Sequence, residues 1–365
     1  MRLSRASRRP SKRMYKNEFE GKTILVTGGT GSIGSQIVRH LLTFNPKQVR
    51  VFSRDDSKQF YLLKRLNDDP RLRMLIGDIR DEKRLVHAME GVDIVFHCAA
   101  LKHVIGTENN PFEAVKTNVI GTQNVIDACL ACGVSQMVGI STDKAADPTS
   151  VLGCTKLLSE KLVTTSTLYK GPRKTRFCFV RFGNVIGTRG SVIPLFVRQI
   201  KQGVPITLTD PEMLRFFMSI EDAVRLIFKA TRVMRDSEVF ILKMPVIRIG
   251  DLAKEVVNLY APRFGRKAEE IEIKNIGRQV GERVYEKLLG REEGENALET
   301  DEMFIIGPFV DPRWDKPILV DHYQDSRRLE GKDYTTHSQI DSLLNPDQIR
   351  ELLQRSAEYI DEALW

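Results

Sequence analysis

The sequence predicts an α/β fold: a doubly wound parallel sheet followed by a smaller C-terminal α/β region. Six short runs rich in β-branched and aromatic residues recur between Thr23 and Val180, and segments with helical periodicity separate them. A glycine-rich turn follows the first run. The composition, with 41% hydrophobic and 28% charged residues among 365, is typical of a globular protein. Because no uninterrupted apolar stretch approaches about 18 residues, we expect no membrane-spanning helix.

The alternating runs give the order of the elements. Strand–helix alternation at this spacing is typical of right-handed βαβ crossovers, which make the strands parallel. The predicted strands cover 23–26, 49–52, 73–76, 93–97, 137–141 and 177–180, and the predicted helices lie near 33–44, 57–67, 81–89, 111–132 and 150–169.

A glycine-rich turn joins the first predicted strand to the first predicted helix. Its three spaced glycines allow a tight turn, close approach of the backbone to a pyrophosphate, and close packing of helix on strand. The helix N-terminus then offers free N–H groups to the anion. We therefore interpret residues 21–184 as a Rossmann-type dinucleotide-binding domain. The predicted contacts at the turn are Thr27, Gly28, Gly31, Ser32, Ile33 and Gly34.

The end of the second predicted strand favours NADP over NAD as the cofactor. An acidic residue there would accept a hydrogen bond from the ribose 2′-hydroxyl, whereas a basic residue accommodates a 2′-phosphate. This chain has Ser53 and Arg54 at that turn and Lys58 one helical turn later. Asp55 and Asp56 follow directly, so NAD stays the alternative.

Two later segments fit the same cofactor site. Asp78 and Ile79 follow the third predicted strand and suit contact with adenine, although Asp78 is equally typical of a turn. After the fourth strand, the small residues Ala99 and Ala100 let the backbone approach the nicotinamide ribose, and Lys102 lies beside them.

The rest of the chain shows a looser order. We interpret residues 185–365 mainly as a substrate-binding region, with some segments returning to the first domain. The acidic, polar segment 291–302 is expected to form a surface loop or lid.

The net charge of +8 is concentrated at the N-terminus. Residues 1–17 contain no acid, and the body is close to neutral, so a folded nucleic-acid-binding face is not indicated. We expect residues 1–20 to form a solvated, disordered tail, the alternative being weak contact with an anionic partner or lipid surface. The basic residues are Arg2, Arg5, Arg8, Arg9, Lys12, Arg13 and Lys16.

Cysteine and histidine usage indicates neither export nor a metal site. Five cysteines without an export signal suggest a cytoplasmic protein. Cys129 and Cys132 form a CxxC, but they lie in a helical pattern without a second pair, so we interpret them as packing residues. The six histidines are scattered.

The fifth strand is followed by the most specific motif of the chain, STDKAADPTSVLGCTK. Together with TGGTGSIG, FSRDDSKQ, AALKHV, NPFEAVKTNVIGTQNV, RFGNVIGTRGSVIPLF, TDPEMLRFFMSIEDAV and GERVYEKLL, it resembles the extended short-chain dehydrogenase/reductase family. Within that family the sequence is similar to the UDP-N-acetylglucosamine 4,6-dehydratases of polysaccharide biosynthesis.

The resemblance implies an internal oxidation, elimination and reduction on UDP-N-acetylglucosamine. Hydride leaves C4 for NADP, a base removes the C5 proton, the C6 hydroxyl leaves as water, and hydride returns to C6. The resemblance also implies a homo-oligomer, a dimer or a hexamer.

The resemblance implies roles for three residues of this segment. Asp143 and Lys144 supply the acid and the base, and Lys156 binds the nicotinamide ribose. The wider family has tyrosine four residues before this lysine, but this chain has Leu152 there. We therefore expect Asp143 or Lys144 to deprotonate O4, with Thr142 as a catalytic relay.

The resemblance also implies substrate contacts. Lys102, His103 and Ser141 would face the hexose, whereas the others would hold the nucleotide. This second group comprises Asn184, Arg189, Ser191, Val192, Arg215 and Glu282.

Two other functions stay open at this point. A C4-epimerase or ketoreductase would need only hydride transfer and its reversal, and would not need a C5 base. A non-catalytic NADP-binding sensor or scaffold is suggested by Leu152 and the basic tail.

Overall fold

The computed structural model describes residues 12–278, 282–307, 323 and 325–364. The chain divides into two compact units, each assembled from three stretches. Unit 1 comprises Met1–Phe182, Val224–Leu242 and Leu289–Lys332; unit 2 comprises Gly183–Ala223, Lys243–Leu288 and Asp333–Trp365.

Unit 1 is built on a ten-stranded sheet. Its strands are β1 (Thr23–Thr27), β2 (Gln48–Ser53), β3 (Leu72–Ile76), β4 (Ile94–His97), β5 (Gln136–Ile140), β6 (Arg176–Arg181), β10 (Glu238–Leu242), β14 (Ala297–Glu299), β15 (Met303–Ile306) and β16 (Arg327–Arg328). From β3 the order runs β3-β2-β1-β4-β5-β6-β10-β15-β14-β16. The first seven strands in this order pair in parallel, and the last three are antiparallel additions.

Helices of unit 1 connect the parallel strands. They are α1 (Lys12–Phe19), α2 (Ser32–Leu42), α3 (Asp56–Arg65), α4 (Glu82–Met89), α5 (Val104–Asn109), α6 (Pro111–Ala114), α7 (Gly121–Cys132), α8 (Val151–Thr164), most of α10 (Ile220–Val233) and α12 (Arg291–Glu295). A π-helical segment, Val115–Ile120, runs directly into α7.

The predicted doubly wound parallel sheet is confirmed. Each of the six predicted strands lies within one or two residues of an observed strand, because β1, β4, β5 and β6 are almost entirely buried and carry the continuous apolar runs of a covered sheet. The strand order reverses between β1 and β4, and ligands bind beyond the carboxyl ends of the strands at such a point.

The N-terminal segment differs from the expected disordered tail. Residues 12–19 form α1, in which Tyr15 and Phe19 are buried. The Phe19 ring lies 4.9 Å from Phe228, 5.4 Å from Phe44 and 6.1 Å from Phe96, between ring centroids. Burial of these aromatic rings stabilises the docked helix. Residues 1–11 lie outside the described part of the chain.

The acidic segment 291–302 is not the surface loop or lid that its composition predicts. It contains α12 and β14, and β14 joins the main sheet through antiparallel pairing with β15. Ala297 and Leu298 are buried, and Glu293 pairs with the buried Arg181 on β6. A buried cation therefore draws this acidic segment against the sheet.

Within its described residues, unit 2 contains three small sheets and helices that pack over one apolar core. Its strands are β7 (Asn184–Val185), β8 (Ile206–Leu208), β9 (Leu214–Met218), β11 (Val246–Arg248), β12 (Ile273–Asn275), β13 (Lys287–Leu289, whose last residue belongs to unit 1) and β17 (Tyr334–Thr335). The sheets are β11-β9-β7, β12-β8 and β13-β17. The helices are α9 (Val192–Gln202), α11 (Ile249–Tyr260), α13 (Pro346–Arg355) and α14 (Ala357–Ala363).

None of the described helices is both long enough and apolar enough to cross a membrane.

Candidate active site

The glycine-rich turn between β1 and α2 forms a backbone cradle. Gly28 has φ +63°, and a Cβ there would lie 2.7 Å from the Ala99 nitrogen. A Cβ on Gly34 would lie 2.4 Å from the Gly28 oxygen, so α2 packs too closely on the turn for any larger residue. The N-cap residue, Gly31, has no side chain to occupy the first N–H groups of α2. An uncapped helix N-terminus beside a bare glycine turn fits a dinucleotide pyrophosphate.

Ser32 and Ile33 form the first turn of α2, as expected, and Thr27 ends β1. Thr27 also begins a buried hydrogen-bond chain. Its Oγ1 lies 2.8 Å from Nδ1 of His97 at the end of β4, and Nε2 of His97 lies 3.1 Å from Thr122 Oγ1. Burial, with a smaller contribution from the Lys156 charge, lowers the pKa of His97 to about 3. His97 is therefore a neutral link between β1, β4 and α7.

The predicted 2′-phosphate contacts lie at the end of β2, and each basic group has an acidic neighbour. Arg54 is more than half exposed, and its Nη1 lies 3.7 Å from Asp78 Oδ2. Lys58 Nζ lies 2.6 Å from Asp55 Oδ2. Ser53 is buried, and its hydroxyl accepts a hydrogen bond from Gln59 Nε2 at 3.0 Å. Arg54 and Lys58 thus keep accessible cationic groups, partly neutralised by these carboxylates.

Asp78 and Ile79 follow β3, where the structure gives them different environments. Burial opposes ionisation of Asp78, but hydrogen bonds from Arg80 and the Arg80 and Arg54 charges lower its pKa overall. The Ile79 side chain is buried, and a Cβ on Gly121 of α7 would lie 2.6 Å from its Cδ1. The backbone of Ile79, not its side chain, is therefore the part left for a cofactor contact.

The segment after β4 carries four more predicted residues. Ala99 and Ala100 are partly accessible and follow the strand end closely, whereas Lys102 and His103 are exposed. His103 is the N-cap residue of α5. Its pKa is lowered by burial and by the Lys102 charge, which favours the neutral imidazole.

Thr142, Asp143 and Lys144 form a tight cluster after β5. Asp143 is 4% exposed and accepts a hydrogen bond of 2.7 Å from Thr142 Oγ1. Lys144 Nζ lies 3.2 Å from Asp143 Oδ2, and its side chain is 35% exposed. Gly153 of α8 packs on this turn so closely that a Cβ would lie 2.4 Å from the Lys144 carbonyl oxygen. The turn is therefore rigidly placed, with a buried acid and an accessible amine.

Ser141 and Leu152 flank this cluster. The Ser141 hydroxyl is buried and has no hydrogen-bond partner among the described residues. Since buried hydroxyls are nearly always paired, it is a group available to a bound hydroxyl. Leu152 is 4% exposed and has no proton to exchange.

Lys156 lies four residues later on α8 with its side chain 7% exposed. Its Nζ donates a hydrogen bond to the carbonyl oxygen of Ile140, the last residue of β5, at 2.5 Å. Nζ also lies 5.4 Å from the centroid of the Phe179 ring. Burial lowers the pKa of Lys156 to about 8, and the charge of Glu160 opposes this shift.

Sequence reasoning missed Asn118, which connects the two segments beside the expected nicotinamide site. Its Nδ2 donates to Leu101 O and to Thr155 Oγ1, both at 3.1 Å, and its Oδ1 accepts from Leu101 N at 2.8 Å. Asn118 therefore fixes the chain around Leu101 against α8, next to Lys156. The π-helical turn that directs Asn118 there has no simple sequence signature.

In unit 2 a buried carboxylate, Glu286, holds two of the predicted nucleotide-binding residues together. Its oxygens accept hydrogen bonds from Asn184 Nδ2 at 3.0 and 3.1 Å and from Phe216 N at 3.1 Å. Arg215 Nε lies 3.3 Å from Glu286 Oε1, and Arg215 Nη2 donates to Arg283 O at 2.8 Å. The Arg215 guanidinium is thus already bonded within unit 2, a feature that its sequence motif does not indicate.

Three other predicted residues of unit 2 lie at the start of α9. Ser191 is the N-cap residue of α9, Val192 begins the helix, and Arg189 precedes them in a partly exposed turn. Glu282 is exposed, whereas Glu286 is buried. Gln279, Val280 and Gly281, just before it, lie outside the described residues.

The residues that the structure describes contain no group of three histidine, cysteine, aspartate or glutamate side chains placed to hold a metal ion. Cys129 is buried against Met89, in agreement with a packing role. What the cluster in unit 1 can do is acid–base chemistry beside a dinucleotide cradle.

Comparison with known proteins shows which family this chain resembles. A family model described as polysaccharide biosynthesis protein matches residues 24–308. A protein of Methanocaldococcus jannaschii called uncharacterized membrane protein MJ1061 is 53% identical over 80% of this chain and 88% of its own length. The UDP-N-acetylglucosamine 4,6-dehydratase (inverting) of Campylobacter jejuni is 41% identical over 80% of this chain and 84% of its own length.

Two further matches cover more of the chain. The UDP-glucose 4-epimerase of Rickettsia conorii is 38% identical over 95% of this chain and 99% of its own length. The X-ray structure of Pen from Bacillus thuringiensis covers 93% of this chain and 98% of its own, with a TM-score of 0.84 and 42% identity. The family match spans most of the chain, and this protein belongs to the polysaccharide biosynthesis protein family.

Proposed function

We propose that this protein is a nucleotide-sugar 4,6-dehydratase that uses NADP and acts on UDP-N-acetylglucosamine. The observation that carries the proposal is the buried Asp143, bonded by Thr142 and Lys144 at the end of β5 on a dinucleotide-binding sheet. Hydride transfer from C4 needs only a base for the O4 proton, whereas an elimination needs in addition a base for the C5 proton and an acid for O6. The identity to a relative named as a dehydratase supports the same reaction.

The cradle of unit 1 would hold the cofactor. Its glycines and the first turn of α2 take the pyrophosphate, and Lys156 takes the nicotinamide ribose. A nicotinamide bound there would supply the acceptor for the C4 hydride and the donor of hydride to C6.

The residues of this chain move the protons. A group of the cluster must first remove the O4 proton, because Leu152 cannot. We assign this step to Asp143 or Lys144, with Thr142 as relay; by either route the O4 proton must end on Asp143, which leaves Lys144 as the neutral amine. Lys144 then takes the C5 proton, and Asp143 protonates O6 so that it leaves as water. The Lys144 ammonium, in exchange with solvent, returns a proton to C5 when hydride reaches C6. Ser141 offers its buried hydroxyl to the sugar.

The nucleotide contacts are proposed for unit 2. Asn184, Arg189, Ser191, Val192 and Arg215 would hold UDP, with Glu282 on the ribose. Arg215 would have to exchange part of its internal hydrogen bonds for the diphosphate, since Glu286 and backbone carbonyls occupy it here. We further propose that the enzyme is a homo-oligomer.

Incubation with UDP-N-acetylglucosamine in deuterated water tests the reaction. We expect a product that has lost one water, 18 mass units, relative to the substrate. Mass spectrometry measures this loss once the mass of the incorporated deuterium is subtracted. NMR should show deuterium at C5, because that proton leaves and is replaced from solvent.

An epimerase is the second candidate, supported by the relative named as UDP-glucose 4-epimerase, which matches 95% of this chain. It would give an isobaric product without deuterium at C5 and would contradict dehydration. Absence of any product, with NADP binding intact, would favour a sensor or scaffold instead.

Cofactor preference is a separate prediction. NADP should bind more tightly than NAD, and Arg54→Ala should weaken NADP by about tenfold while NAD changes less than about twofold, because only NADP carries the 2′-phosphate. The preference should shrink as salt screens this exposed contact. Calorimetric titration measures both affinities. Arg65→Ala, at the other end of α3, is the matched control, and a preference for NAD in the unmodified protein would overturn the assignment.

A further inference from the structure

The side of α8 that carries Lys156 also carries a buried carboxylate. Glu160 lies one helical turn after Lys156, and residues four apart share a helix face. Glu160 is 2% exposed and Lys156 is 7% exposed. Two opposite charges in one water-poor region interact more strongly than they would at the surface.

Glu160 is held by a cation on the neighbouring strand. Arg181 of β6 is 1% exposed, its Nε lies 3.0 Å from Glu160 Oε1, and its Nη2 lies 2.5 Å from Glu160 Oε2. This bidentate pair fixes the carboxylate in one orientation.

Glu293 of α12 binds a different edge of the same guanidinium. Its oxygens accept hydrogen bonds of 2.8 Å from Arg181 Nη1 and Nη2. One arginine therefore faces two carboxylates, so the positive charge of Arg181 does not cancel Glu160 completely.

The remaining titratable groups near Lys156 do not provide a counter-charge of this kind. His97 on β4 is neutral, and burial raises the pKa of Cys98 to about 12, which keeps the thiol protonated. Asp143, in the turn packed on α8, is engaged by Thr142 and Lys144. Glu160 is also the carboxylate whose charge most strongly opposes the effect of burial on Lys156.

We propose that Glu160 is a positioning residue that keeps the Lys156 ammonium charged and in place for the cofactor, and that Arg181 fixes Glu160 for this task. The inference rests on the proposed function only in assigning Lys156 to cofactor binding. It adds a buried carboxylate, one helical turn from Lys156 and outside the motif itself, that sets the pH range in which the lysine works.

The test is the pH dependence of NADP affinity, measured by calorimetry on the full chain without sugar. Loss of the Lys156 proton should weaken binding above about pH 8, and we call this fall in affinity the alkaline limb. Lys156→Met should abolish the alkaline limb, which would assign the limb to Lys156. Glu160→Gln should move the limb to lower pH by about one unit, because the stabilising negative charge is gone.

Glu293→Gln is the matched control, since it also removes a carboxylate from Arg181. Both variants should lower stability and remove one negative charge from the group around Arg181, but of the two carboxylates only Glu160 lies on the helix that carries Lys156. Glu293→Gln should therefore move the limb by less than about half as much as Glu160→Gln, a difference that a purely structural role for Glu160 would not produce. An unchanged limb in Glu160→Gln, or equal shifts in the two variants, would overturn the proposal.

If Glu160→Gln does not fold, Glu160→Asp keeps the charge but retracts it by one methylene, and it should give a smaller shift in the same direction. An Asp variant with the unmodified limb would contradict the proposal. Because the readout is cofactor affinity, a failure of dehydration in the sugar assay would leave this result interpretable.

Discussion

Lys144→Ala is expected to lower the turnover of UDP-N-acetylglucosamine by about 10²–10⁴-fold, the usual contribution of a positioned acid or base. The amine is the accessible member of the cluster, whereas Asp143 is buried beneath it. Without the amine, the C5 proton has no acceptor. Deuterium incorporation at C5 and product formation, followed by NMR and mass spectrometry, measure the loss.

The same variant separates two roles for Lys144. If Asp143 deprotonates O4, reduced cofactor should still appear in a single turnover at 340 nm, because hydride leaves C4 before C5 is touched. If Lys144 serves both steps, no absorbance change will be seen. Lys161→Ala, an exposed lysine on α8, should change turnover by less than about twofold. Near-normal product formation by Lys144→Ala would remove Lys144 from the mechanism.

Phe19→Ala is expected to lower the free energy of unfolding by about 3–5 kcal/mol, as for other fully buried phenylalanines. Phe19 has no exposed surface and packs on Phe44, Phe96 and Phe228. Urea denaturation measures the change. Phe60→Ala on α3 is the matched control, because its ring is 56% exposed, and it should cost less than about 0.5 kcal/mol.

The effect of deleting N-terminal residues on stability should depend on whether the deletion reaches α1. Removing 1–11 should leave turnover within about twofold, whereas removing 1–17 also removes the buried Tyr15 and should destabilise the protein. Equal stability of the two truncated proteins would show that the packing of α1 contributes little.

The parallel sheet could be predicted from the sequence because the signal for each strand lies within the strand itself. β1, β4, β5 and β6 each carry their own apolar run, and the glycine turn identifies the first crossover. The helix α1 could not be predicted in the same way, because its burial depends on Phe228, about two hundred residues later. Basic residues dominate its composition and conceal Tyr15 and Phe19, which are spaced four apart on one helix face.

In the candidate site, too, residues that are close in sequence could be predicted and residues that meet only in the folded protein could not. Asp143, Lys144 and Lys156 belong to a compact motif, so their proximity follows from a strand end and the helix after it. Glu286 was missed because its partners, Asn184 and Phe216, come from distant strands and meet it through tertiary structure. In the sequence, nothing distinguishes the exposed Glu282 from the buried Glu286.

The discontinuity of unit 1 affects how the nascent chain folds. Arg181 and its second carboxylate, Glu293, are separated by 112 residues. At 5–20 residues per second, a ribosome needs roughly 6–22 s to bridge that interval. For about the first half of this time β6 lacks its neighbour β10, which begins at Glu238, and throughout it Arg181 has only one of its two carboxylates. While β10 is missing, the nascent chain therefore has an open hydrogen-bonding edge at β6 that chaperones could cover. Unit 1 completes its sheet only after most of unit 2 has been synthesised.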